Sequence, residues 1–197
     1  MVATVEAVIR GETKAVDRLT KVQDCKSCHD KHQSESSPEE YGLTPGLKMP
    51  FHVADFLNDK SDHNCGCPSV MIANSGGRGV IIWTRGTADP AFRLAKALDA
   101  GAGNGDKLQR FLIAFDADEK FLQEKAAGLG RVLVGKARDS AKEQLDGRGV
   151  DAKVLVLVFL LDKKEVKAAW SLTTDELGDD KIKELVGAAK RFASGDK

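Results

Sequence analysis

From residue 79 onward the chain is a succession of short apolar runs separated by segments of helical texture. "GVIIWT" has the length of a strand. "DPAFRLAKALDA" follows it, with Asp89 placed to cap a helix, Pro90 at the first helical position, and Phe92, Ala95 and Leu98 along one face. "GAGNGD" then breaks the chain. "RFLIAF" reads as a second strand, "DEKFLQEKAAGLG" as a second helix opened by Asp118 and closed by Gly130, and "RVLVGKA" as a third strand. The longest apolar run, "VLVLVFLL" from Val154 to Leu161, suits a buried strand. With "DKK" and "EVKAAWSL" after it, the pattern is two strands joined by a tight turn. "DDKIKELVGAAKRF" closes the chain as a helix with Ile182, Leu185, Val186 and Ala189 on one face. Strands that alternate with helices form a parallel sheet with right-handed crossovers, and the hairpin adds antiparallel strands at one side. The fold class is α/β.

The order of these pieces resembles the thioredoxin fold, over roughly residues 75 to 193. The stretches that carry the likeness are "GVIIWTRGTADPAFRLAKAL", "QRFLIAFDAD" and "VLVLVFLLDKKEVKAAWSLTTDELGDDKIKELVGAAKRF". "GLKMPFHVADF" before them resembles the lead-in of peroxiredoxin-like and TlpA-like members. The C-terminal part is similar to thioredoxin-like proteins common in planctomycetes. The resemblance implies a three-layer sandwich over residues 75–197, with an N-terminal helix and a cysteine- and histidine-rich extension over residues 1–74. It also implies a C-x-x-C just after the first central strand and a cis-proline before the hairpin. This sequence has "WTRGTADPAF" at the first place and "LDGRGVDAKVLV" at the second, with no cysteine and no proline respectively. Ordinary thioredoxin catalysis is therefore not expected at the usual helix.

The first 74 residues have a different texture. Val5, Val8, Ile9, Val16 and Leu19 predict a helix over residues 3 to 22. All four cysteines and all four histidines fall between residues 25 and 67, in a stretch rich in Ser, Pro, Asp and Gly that reads mostly as loop. "MPFHVADFL" is its one strand-like piece. "NSGGRG" reads as a turn, since it lacks the lysine and hydroxyl residue of a phosphate loop.

The cysteines form two close pairs, Cys25/Cys28 and Cys65/Cys67, and Cys25, Cys28 and His29 spell C-x-x-C-H. Several chemistries fit. Zinc takes four tetrahedral ligands, and Cys25, Cys28, Cys65 and Cys67 supply four, with His29, His32, His52 or His63 able to replace one. Such a zinc would simply tie the extension down in a non-catalytic binding module. Thiol redox is the second reading, with Cys65 and Cys67 as the catalytic dithiol and Cys25/Cys28 as a second pair that exchanges with it. A C-x-C disulfide is strained and hence relatively oxidising. The planctomycete likeness implies a cysteine pair in about this place, although the spacing there is C-x-x-C. The partners would then be protein thiols or another redox protein. The third reading is a single covalent haem c in an electron-transfer protein, thioether-linked at Cys25 and Cys28 with His29 as proximal ligand. His32, His52, His63 or Met49 would be the distal ligand. The bland reading is structural disulfides or free thiols.

Thirty basic residues balance thirty acidic ones, which gives no electrostatic reason to bind nucleic acid or a membrane surface. No apolar run approaches the ~18 residues of a membrane span. The N-terminus as written carries scattered charge and no apolar signal region. That fits a cytoplasmic protein, or a periplasmic or extracellular one from which a signal peptide has been removed or truncated.

Overall fold

The computed structural model describes residues 43–49, 53–59, 65–75, 77–86, 88–103, 107–138 and 153–195, all within the unit Glu39–Lys197. The helix expected over residues 3 to 22 lies outside them, as do Cys25, Cys28, His29, His32, His52 and His63. The strands are β1 (Ala54–Phe56), β2 (Cys65–Gly66), β3 (Arg78–Arg85), β4 (Gln109–Phe115), β5 (Leu133–Ala137), β6 (Val156–Asp162) and β7 (Glu165–Leu172). The helices are α1 (Pro68–Ser75), α2 (Asp89–Ala100), α3 (Glu119–Ala126) and α4 (Asp179–Ser194).

The seven strands form one sheet in the order β2-β1-β5-β4-β3-β6-β7. β3, β4 and β5 run parallel, and β6 is antiparallel to β3 and to β7. This is the arrangement expected from the alternating runs and the hairpin. β1 joins the outer side of β5 antiparallel, and β2 joins β1. Strands from both sides of residue 75 therefore share a single sheet, although sequence composition divides the chain there.

Alternate residues of the central strands face two separate cores, as strand geometry requires. Val80 and Ile82 of β3 face one side, where Leu94 and Leu98 of α2, Leu122 of α3 and Leu185 of α4 pack on them. Ile81 and Trp83 face the other, with Phe111, Phe159 and Ile72 of α1. Helix, sheet and helices make three layers. The other helical layer, α1, carries no pattern signal in the sequence: "PSVMIANS" shows no polar–apolar period. Its Ile72 is fully buried, and Gly79 of β3 lies directly beneath, where a Cβ would stand 2.4 Å from Ile72 Cδ1. Close approach of helix and strand is what the glycine permits.

Two details of the expected elements differ. Helix α2 starts one residue early, so Ala88 is the extended residue before it and Asp89 lies in its first turn without capping a backbone amide. The Asp89 carboxylate instead meets Lys125 Nζ on α3 at 3.3 Å. "NSGGRG" is not one turn: Asn74 and Ser75 end α1, Arg78 and Gly79 open β3, and Gly77 at φ +104 lies between them. Asp118 does cap α3, accepting from Phe121 N at 2.9 Å.

Candidate functional site

The turn Cys65-Gly66-Cys67-Pro68 joins the outermost strand β2 to helix α1. Its conformation follows from its residues. Gly66 is opposite Ala54 in the β1–β2 ladder, and a Cβ there would stand 3.0 Å from Met71 Sδ and 3.5 Å from Phe56. The carbonyl of Cys67 accepts the first helical hydrogen bond, from Met71 N at 3.0 Å. Cys67 thus occupies the N-cap position, and Pro68 stands at the first helical position, where its missing N–H has no partner to lose.

Cys67 is a free thiol and is only 5% exposed. Its sulfur lies 3.2 Å from the hydroxyl of Ser69, which is itself 2% exposed. The first amides of a helix lack partners within it and carry partial positive charge. Reactive cysteines of oxidoreductases occupy such helix mouths. Cys65 contributes its backbone to β2, opposite Asp55.

Of the other predicted ligands, Met49 is described. It is 1% exposed in the apolar cluster of Phe56, Ile72, Trp83 and Phe159. Among the described residues no three His, Cys, Asp or Glu side chains converge as a metal site. The zinc and haem readings of Cys25, Cys28, His29 and His63 rest on residues outside those described.

The place where the family likeness puts a dithiol is the connection from β3 to α2, and its described residues, Gly86 and Ala88, include no cysteine. Trp83, Thr84, Arg85 and Phe115 meet Val154, Leu155 and Leu157 around a space of about 10 Å³. That is no more than one water molecule needs. Trp83 is 3% exposed and packs edge-on against Phe115 and Phe159, at centroid distances of 5.7 and 5.2 Å. It is core, as its strand position implies.

Sheet register measures how far this place lies from the Cys65 turn. One row across the sheet runs Cys65, Asp55, Lys136, Ala114, Thr84. Four inter-strand steps of about 4.8 Å put Cys65 roughly 19 Å from Thr84. The cysteine turn and the usual position are separate places at the same level of one sheet. Between them, beyond the ends of β4 and β5, is a polar cleft of about 410 Å³ that includes Asp116, Asp118, Lys136 and Arg138. Arg138 Nη2 holds Asp55 Oδ1 at 2.6 Å, so the strand neighbour of Cys65 is pinned to the end of β5.

No family model matches the chain, and no curated protein matches it in sequence. Solved structures do match. A Chlorobium tepidum protein described as a thiol:disulfide interchange protein DsbE superposes with a TM-score of 0.55 at 13% identity, over 77% of this chain and 99% of its own. The thioredoxin domain of a thiol-disulfide oxidoreductase from Bacteroides vulgatus superposes with a TM-score of 0.50 at 12% identity, over 74% of this chain and 99% of its own.

Proposed function

We propose that this chain, which has the thioredoxin fold of those two structures, exchanges thiols and disulfides through Cys65 and Cys67 rather than at the end of β3. The observation that carries the reading is the free Cys67 thiol, held at the mouth of α1 two residues from a second cysteine. The connection after β3 holds no cysteine, which supports the reading from the other side. The partner is a protein thiol or disulfide, or another redox protein. In the reducing direction the pair gives up two electrons and two protons. One Cys65–Cys67 S–S bond forms, and the partner's S–S bond becomes two thiols. A two-residue spacing strains the ring, which makes such a pair a ready oxidant of other thiols.

The test is a redox titration of the full chain in graded glutathione, with mass spectrometry of the peptide that holds residues 65 to 67. A disulfide within that peptide is expected. Exchange with an insulin disulfide should disappear in Cys65→Ser and in Cys67→Ser. Arg85→Ala, at the usual position, should stay within a few-fold of the native chain. Activity that survives loss of both cysteines overturns the reading.

A further inference from the structure

We infer that Ser69 is a positioning residue that sets the redox poise of Cys67, holding the pair toward the dithiol. The inference rests on the redox reading of Cys65 and Cys67. Ser69 lies in the first turn of α1 and is 2% exposed, with its Oγ 3.2 Å from Cys67 Sγ. A hydroxyl buried this deeply needs an acceptor for its hydrogen. Either atom of the Ser69–Cys67 contact can donate, and with the hydroxyl as donor the sulfur is that acceptor. A reduced sulfur, above all a thiolate, accepts a hydrogen bond better than a disulfide sulfur does. Oxidation therefore weakens the acceptor and leaves a buried hydroxyl short of a partner. The penalty falls on the disulfide alone and favours the reduced pair.

The chemistry balances without further groups. Glutathione disulfide and the Cys65/Cys67 dithiol give the internal disulfide and two glutathione thiols. The first step is attack of one cysteine thiolate on glutathione disulfide, which releases one glutathione. The second is attack of the other cysteine on that mixed disulfide, which releases the next. Ser69 exchanges no electrons and acts only through the sulfur of Cys67.

The experiment is the glutathione titration of the full chain, read on the peptide of residues 65 to 67. Ser69→Ala should raise the equilibrium constant for disulfide formation about fivefold, roughly 20 mV for a two-electron couple. Ser69→Thr, which keeps the hydroxyl, should stay within twofold of the native chain. Ser69→Val, of the same shape as threonine, should follow Ser69→Ala. The threonine and valine variants carry the same packing burden, so their difference reports the hydroxyl even if alanine loosens the helix. Equal constants for threonine and valine overturn the inference while leaving the redox reading in place. Absence of any disulfide between Cys65 and Cys67 in the native chain overturns the redox reading and the inference with it.

Discussion

Gly79 shows how a single position decides whether α1 can lie on the sheet. A methyl group there would overlap both Ile72 Cδ1 and Cγ1 at 2.4 Å. The strand is central, paired on both sides, and cannot retreat. Helix α1 must then lift or Ile72 must leave its pocket. Gly79→Ala is expected to destabilise by about 1–3 kcal/mol, the usual range for overpacking, read from the urea midpoint at unchanged slope. Unchanged stability would mean that α1 does not rest on β3. At this scale the sequence was only partly legible. Cys67 stood out by its spacing from Cys65, and Asp118 by its place before a helical run. Ser69 carried no signal, because a serine after a proline reads as a turn former. Its meaning comes from the fold of one helical turn, which returns its hydroxyl to the sulfur two residues back.

Among the elements, α4 is anchored by a residue from another element. Arg78 at the start of β3 donates to the carbonyls of Phe192 and Ala193, at 2.9 and 3.3 Å. Its guanidinium also lies 5.4 Å from the centre of the Phe192 ring. The last carbonyls of a helix have no partner within it, and here a strand supplies one while Gly195 turns the chain away at φ +82. Arg78→Ala should cost roughly 1–2 kcal/mol, from two hydrogen bonds given by a charged donor. Hydrogen exchange should quicken over residues 190 to 194 before it does in β3. A uniform loss of protection would count against this capping role. The strands were legible as elements because a buried strand of a parallel sheet reads as a continuous apolar run. The long amphipathic helices were legible by period. α1 was not, because at eight residues it draws its stability from packing on Gly79 and Phe56 rather than from pattern. The proline that opens it and the glycine that follows it were its only marks.

For the molecule as a whole, texture suggested a division near residue 75 that hydrogen bonding does not respect. β1, β2 and α1 come from before that point, yet they complete the edge and one face of the sheet. A chain that begins at residue 75 exposes Ile81, Phe111 and Gly135 where Ile72, Phe56 and Ala54 now lie. Such a chain should unfold without a sharp transition, whereas one that begins at Glu39 should unfold cooperatively, as calorimetry would show. A sharp transition for the shorter chain would make the lead-in an accessory to a complete core. The alternation of elements was readable because each is local. The docking of the lead-in depends on pairing across most of the chain, and no local signal announces it.

That pairing also dictates an order of events. Asp55 and Arg138, which fasten β1 to the end of β5, are 83 residues apart. Contacts this distant in sequence form late and slow the folding of small domains. During synthesis the Cys65-Gly66-Cys67 turn emerges well before the strand against which its hairpin docks. Until then Cys67 has no closed site around it, and both thiols meet whatever redox buffer surrounds the nascent chain. The thiols of the nascent chain are thus open to oxidation before the sheet closes beside them. A pulse of thiol-blocking reagent should label Cys67 fully in chains arrested before residue 133 and only slowly in the completed chain.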